Sequence, residues 1–132
     1  IDIKYRKKIE KFINNNINFL INQKVNYIIE TMLKNHVCIF PSYSEGLART
    51  CIEALACGNY LIVSKIFSDF KNKNLGISFI DQTNPKMWLK ELYKLRKKPK
   101  ILNKAFINNH NQSMKLFSQK MFIKKYLDYF KN

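Results

Sequence analysis

The sequence predicts an α/β protein: a parallel sheet flanked by helices, with a helical tail at its C-terminal end. Three observations carry that prediction. Short apolar runs without alternation, Val37–Phe40, Tyr60–Val63 and Ile77–Ile80, read as strands covered on both faces. Between them lie segments whose apolar residues recur at three- and four-residue spacing, the helical period. Strands that alternate with helices then require parallel pairing through crossover connections.

Taken in order, Lys4–Ile13 places Tyr5, Ile9, Phe12 and Ile13 at helical spacing, with Lys and Arg on the other face. The cluster Asn14–Asn16 ends that helix, and Ile17–Leu20 reads as a short strand. Val25–Asn35 is a second helix, with Val25, Ile28, Ile29, Met32 and Leu33 along one stripe. The buried strand Val37–Phe40 is stopped by Pro41, and Ser42–Gly46 is a loop. Leu47–Cys57 returns to helix, closed by Gly58, the favoured residue just past a helix end. After the strand Tyr60–Val63, the polar stretch Ser64–Gly76 reads as loop, and Ile77–Ile80 is the last strand. Asn84 and Pro85 form a cap-plus-proline helix start, leading into a face of Met87, Trp88, Leu92 and Leu95. Pro99 starts another helix. Ser118 caps a final one running through Phe122, Ile123, Tyr126, Leu127 and Phe130. No repeat, low-complexity linker or domain boundary interrupts the chain, so residues 1–132 form one α/β stack with a helical tail.

Composition narrows the function classes. A chain of 132 residues builds one modest core, and a hydrophobic share of 46% argues against disorder. No apolar run approaches the ~18 residues of a membrane span, and no secretory signal pattern opens the chain. The first residue is Ile1, and the sequence reads at once as helix, which suggests a piece of a longer protein. The formal charge of +15 attracts phosphate in general. It is carried almost wholly by Lys, with arginine only at 6, 49 and 96, amid abundant Asn and Ile. Base-reading sites lean on the guanidinium fork, so no nucleic-acid partner is expected; drift from AT-rich coding, with weak attraction to anionic lipid, is the reading. Cys38, Cys51 and Cys57 form no C-x-x-C, and His36 and His110 offer no second ligand nearby, so no metal is expected. The cysteines read as buried or half-buried thiols of a reducing cytoplasm. Gly46, Gly58 and Gly76 form neither a dinucleotide fingerprint nor a P-loop.

One segment carries chemistry. In α/β sheets ligands bind at the carboxyl ends of strands, where loops lead into helix N-termini. The strand ending at Phe40, the loop Ser42–Gly46 and the following helix make such a place. A helix start offers unpaired N–H groups and the positive end of a dipole, a seat for a diphosphate. Gly46 lets a ligand approach the backbone closely. Two of the chain's nine acids flank this place. Glu45 lies in the loop, and Glu53 follows eight residues later in an apolar stretch, where a carboxylate is costly unless paired. A ligand's pair of hydroxyls is one such partner. If both acids were helical, they would stand ~12 Å apart along the axis, about the reach from a sugar to a ribose across a diphosphate. The alternative keeps both acids structural: Glu45 as a helix-start acid, Glu53 as an exposed residue facing Lys or Arg.

The stretch from Pro41 to Gly58 resembles the nucleotide-binding signature of GT-B glycosyltransferases, the retaining family 4 (group 1) kind in particular. The agreement lies in Pro41-Ser42, Glu45-Gly46, Glu53, and Ala54 through Gly58. It extends more loosely over Ile17–Ile80, and Phe117-Ser118 before an amphipathic end also resembles that family. The resemblance implies a partial, Rossmann-like C-terminal domain that binds a nucleotide-sugar, with the N-terminal acceptor domain outside the chain and the chain alone inactive. It implies that Glu45 contacts the transferred sugar as the catalytic residue and that Glu53 holds the ribose hydroxyls. The backbone amides of Gly46, Leu47 and Ala48 would cradle the diphosphate, with Thr50 and Arg49 assisting. No cofactor and no metal are implied; helix dipole and basic side chains neutralise the leaving diphosphate. The implied partners are a UDP- or GDP-sugar donor and a sugar or lipid-linked acceptor. The implied setting is cell-surface polysaccharide or glycolipid synthesis, in the cytoplasm at the inner face of the membrane.

The sequence departs from the family pattern at three places. Ala48 stands where the family often has Pro or Gly. Asn59-Tyr60 replaces x-Pro, and Ser64–Asp69 lacks the glycine of the loop that shapes the sugar pocket. The altered Ser64–Asp69 segment keeps one alternative in view, a degenerate, non-catalytic α/β binding domain, and the Lys-rich composition keeps another, a basic nucleic-acid-binding module.

Overall fold

The computed structural model describes residues 22–44, 48–71, 73–121 and 123. The expected helix Lys4–Ile13, the expected strand Ile17–Leu20 and most of the expected terminal helix lie outside the described residues. Helix α1 (Val25–Lys34) leads to strand β1 (Val37–Phe40), helix α2 (Arg49–Ala56) and strand β2 (Tyr60–Ser64). A short 3-10 turn (Ser68–Phe70) precedes β3 (Ile77–Ile80), helix α3 (Pro85–Lys97) and helix α4 (Pro99–Phe117). The sheet has the order β1-β2-β3 and is parallel throughout, with Val37 opposite Tyr60 and Leu61 opposite Ile77. The Rossmann-like α/β expectation, a parallel sheet between helices with a helix at the C-terminal side, describes these residues.

β2 is the centre of the molecule, and all five of its residues are buried. Successive strand side chains point to opposite faces. Leu61 and Val63 therefore enter one cluster with Met32 of α1, Cys51, Ala54 and Leu55 of α2, and Phe67 and Phe70. Tyr60 and Ile62 enter another with Ile80, Trp88, Leu95 and Ala105. This is why the run could be apolar without alternation: helices cover both of its faces.

The other strands are less enclosed. β1, expected buried, is only half-buried, and Ile39 keeps 42% of its surface exposed. It is the outer strand of the described sheet, with β2 on one side. The α1 stripe shares that position: Met32 is buried, but Val25 is 66% exposed, and Ile28 and Leu33 are exposed too. A groove of about 470 Å³ runs between α1 and β1, lined by Tyr27, Ile28, Met32 and Cys38 among others.

The stretch expected to be plain loop, Ser64–Gly76, differs from that expectation in two ways. Ser64 is the last residue of β2, with its hydroxyl buried. The crossover to β3 also packs Phe67 and Phe70 into the core, Phe70 meeting Phe117 edge-on at 5.8 Å. Two buried aromatics among charged neighbours lack a period, so composition alone reads as loop.

Helix ends follow the local chemistry. Asn84 caps α3 through its side-chain oxygen, which accepts the Met87 N–H at 3.3 Å, and Pro85 opens the helix. Pro99 opens α4 in the same way. Met87, expected on the buried face of α3, is exposed, while Trp88 and Leu95 are buried and Leu92 is half-buried. After Ser118 the chain resumes a helical turn, with the Met121 N–H on the Ser118 carbonyl.

Two buried asparagines tie these pieces together. The Asn59 side-chain amide donates to the carbonyls of Met32 and Asn35 at 2.9 and 2.6 Å, closing the C-terminal end of α1. Asn109 of α4 donates to the carbonyls of Asn59 and Gly76 and accepts the Gly76 N–H at 2.6 Å. Asn59, a departure from the family pattern, thus works as a cross-link before β2.

Candidate functional site

The candidate site lies where β1 hands over to α2. Ser42–Ser44 leave the strand without regular structure, and α2 starts at Arg49 with Ala48 as its N-cap. Ala48 has φ −74° and ψ 61°, outside helical geometry, and brings no side-chain acceptor. The first intrahelical bond described here is Ile52 N–H to Ala48 C=O at 3.1 Å. The N–H groups of Arg49 and Thr50 therefore have no acceptor within α2, and no acidic residue stands in its first turn. Among the described residues no anionic side chain caps the positive end of the helix.

The ~12 Å separation expected of Glu45 and Glu53 supposed one helix through both; Ala48 lies outside helical geometry and α2 begins at Arg49. Glu45, Gly46 and Leu47 lie outside the described residues. Of the seven expected site residues, Ala48, Arg49, Thr50 and Glu53 are described, gathered on the cap and first two turns of α2. Arg49 and Thr50 are exposed, Ala48 is buried and Glu53 is half-buried.

Glu53 carries the most information. Its neighbours Ala54 and Leu55 are fully buried. Among the described residues its carboxylate makes no hydrogen bond and no ion pair, although Arg49 stands one turn before it. The expected alternative, a carboxylate held by a facing cation, is not what the described residues display. The Cys57 thiol is pushed up first by its own burial and then by the Glu53 charge.

Other residues complete the carboxyl rim of the sheet. The Ser64 hydroxyl at the end of β2 donates to the Ser42 carbonyl at 2.6 Å, fastening the loop after β1 to the neighbouring strand. Sequence reasoning missed it; a serine closing an apolar strand was the available signal. At the end of β3, Asp81 accepts from the Thr83 hydroxyl at 2.6 Å and lies 3.7 Å from Lys65. The Thr83 hydrogen bonds, with Lys65 adding to them, hold the Asp81 carboxyl below its ordinary value.

A second polar cluster sits where α3 covers β3, and the sequence did not signal it. Tyr60 and Ser78 share a hydroxyl contact at 2.8 Å, and Ser78 donates to Glu91 at 2.6 Å. Lys94 donates to both Glu91 oxygens at 2.9 and 3.1 Å. Burial opposes ionisation of Glu91, but the Ser78 and Lys94 hydrogen bonds outweigh it and keep the carboxyl below its ordinary value. These groups border a cavity of about 420 Å³.

None of the three cysteines forms a disulfide; Cys38 is half-buried, and Cys51 and Cys57 are buried. Burial, then the neighbouring Cys57, pushes the Cys38 thiol up to about 11. Among the described residues no three His, Cys, Asp or Glu side chains gather as a metal site would require. No helix among them is long and apolar enough to cross a membrane.

Comparison with known proteins adds one match. The family described as Glycosyl transferases group 1 matches residues 4–113, which takes in β1, β2 and β3 and the whole candidate site. No curated protein and no solved structure matches the chain.

Proposed function

The chain belongs to the group 1 glycosyl transferases, and on that premise we propose that its β1–α2 unit binds the nucleotide-diphosphate part of a UDP- or GDP-sugar whose sugar is transferred with retention of configuration. One observation supports this most: a half-buried carboxylate, Glu53, stands without a hydrogen-bond or ion-pair partner among the described residues, one turn above a helix start that has no side-chain cap and no acid in its first turn. An anion seats on the helix start, and a pair of ribose hydroxyls meets the carboxylate.

In this proposal Glu45 contacts the transferred sugar, and the amides of Gly46, Leu47 and Ala48 cradle the diphosphate. Arg49 adds positive charge and Thr50 a hydroxyl. The bond from the anomeric carbon to the diphosphate oxygen breaks as the acceptor oxygen bonds on the same face, and the acceptor hydroxyl's proton passes to the leaving diphosphate oxygen. The helix dipole and basic side chains take up the charge of the leaving group, with no metal or other cofactor. The acceptor is a sugar or a lipid-linked sugar, in polysaccharide or glycolipid assembly at the cytoplasmic face of a membrane. Residues 1–132 supply the donor half of a hexosyltransferase-type site, so on their own they bind donor and turn it over poorly.

Calorimetric titration with UDP and with GDP tests the proposal. One of the two binds the chain, and Glu53→Ala weakens it about tenfold to a hundredfold, the range for a hydrogen bond to a charged group. Because the Glu53 carboxylate has no hydrogen-bond or ion-pair partner among the described residues, the same variant unfolds within about 0.5 kcal/mol of the parent chain. Binding indifferent to Glu53→Ala would instead favour a degenerate domain, the reading that the glycine-free Ser64–Asp69 segment supports.

A further inference from the structure

The positive charge of the chain is not evenly spread. Helices α3 and α4, residues 85–117, carry eight lysines and one arginine against a single acid, Glu91. That acid is already engaged by Lys94. At ~100° per residue, Lys86, Lys90 and Lys97 of α3 project within ~40° of one another, on the side opposite the buried Trp88 and Leu95. Beside this row stand Leu89 and Tyr93, one turn apart, 56% and 60% exposed. A helix whose inner face is satisfied by the core therefore presents a second, mixed face of lysines and large apolar side chains to solvent.

We infer that the outer face of α3 docks on the surface of an anionic lipid bilayer. The lysine row meets acidic headgroups, while Leu89 and the Tyr93 ring enter the boundary between headgroups and acyl chains. Lysine stems lie along an apolar surface with their ammonium groups in the polar layer, and tyrosine favours the same boundary. A nucleic acid fits this face less well. Only Arg96 is available as a guanidinium fork on α3, and an exposed Leu89 has no stacking or hydrogen-bonding use against bases or phosphates. A helix face without a groove also suits an extended surface better than an acidic peptide. The inference deepens the proposed acceptor at a membrane and draws its biological sense from it. Its readout needs no nucleotide, so failure of one leaves the other testable.

Flotation of the 132-residue chain with vesicles tests it. Vesicles of phosphatidylcholine with phosphatidylglycerol should carry the protein upward, and vesicles of phosphatidylcholine alone should not. Replacing Lys86, Lys90 and Lys97 together by Gln should weaken binding roughly a hundredfold, at about fivefold for each lysine near an anionic surface. Leu89→Ser with Tyr93→Ser should weaken it further and leave a remnant that vanishes as the screening length falls from ~10 Å to ~3 Å in high salt. All five residues are exposed on the helix, and an unchanged helical circular dichroism spectrum confirms that the variants fold. Equal binding to neutral vesicles, or undiminished binding by the triple Gln variant, would overturn the inference. So would tight binding to duplex RNA with indifference to Leu89→Ser and Tyr93→Ser, which would make the face a general polyanion surface.

Discussion

Asn109 shows how much one side chain contributes here. It is fully buried, and its amide engages both backbone groups of Gly76 and the carbonyl of Asn59. Asn109→Ala would take the side-chain partner from the Gly76 N–H and the Asn59 carbonyl, while the Gly76 carbonyl keeps the Leu61 N–H; each lost partner costs on the order of 1–3 kcal/mol. We expect about 3 kcal/mol of destabilisation in urea unfolding, with little change in the slope. Asn108→Ala, one position earlier, removes a bond to the Asn74 carbonyl on the exposed side and should cost under ~1 kcal/mol. Equal costs at the two positions would refute the role assigned to Asn109. Asn59 illustrates the opposite side of such networks. Its amide nitrogen serves two carbonyls of α1 and the following turn, and its Oδ1 is buried with no partner. Orienting the nitrogen toward two acceptors outweighs the desolvation of one oxygen.

At the scale of elements, the end of α2 depends on Gly58. The Gly58 N–H bonds to the Leu55 carbonyl and the Asn59 N–H to the Ala54 carbonyl, the paired closure that needs a left-handed residue between them. Gly58 supplies it with φ +85°. His110 of α4 adds its Nδ1–H to the Ala56 carbonyl at 2.6 Å, so α4 also seals the end of α2. A Cβ at position 58 would lie 2.6 Å from the Phe106 ring and 2.9 Å from the Phe106 carbonyl. Gly58→Ala should therefore cost about 3 kcal/mol, part for the left-handed backbone and part for the clash. Measured by thermal unfolding in a Phe106→Ala background, the cost should fall but not vanish. Disappearance of the whole effect would mean that the backbone conformation contributes nothing. Since α2 holds the expected nucleotide-contacting residues at its other end, this closure also sets where Ala48 and Glu53 stand.

For the molecule as a whole, β2 makes two cores behave as one. Leu61 and Ile62 are neighbours in sequence but belong to opposite faces, the first with α1 and α2, the second with α3 and α4. Trp88, the chain's single tryptophan, sits in the second core with its indole N–H on the Asp81 carbonyl at 3.0 Å. Leu55→Ala, which opens a cavity in the first core, should cost about 2–5 kcal/mol. It should move the unfolding transition seen by Trp88 fluorescence as far as the one seen by circular dichroism. Separate transitions would show that the faces unfold independently and that β2 does not couple them.

The element order of the described residues, the parallel sheet and the helix punctuation were legible in the amino-acid order alone. These rest on local rules: apolar runs for Val37–Phe40 and Ile77–Ile80, the Asn84–Pro85 start, and Gly58 after its helix. It also carried the family, because the spacing from Pro41 to Gly58 lies within one strand–loop–helix unit. Tertiary structure alone decided what depends on distant partners. Phe67 and Phe70 are core residues because Leu61, Val63 and Phe117 surround them, not because of any period in their own segment. Ser64 fastens the site's loop because Ser42 comes to meet it from twenty-two residues away. The exposure of Ile39 and Val25 likewise follows from their place at the outer strand of the described sheet. A side chain's period says which way it points, and only the packed chain says what stands there.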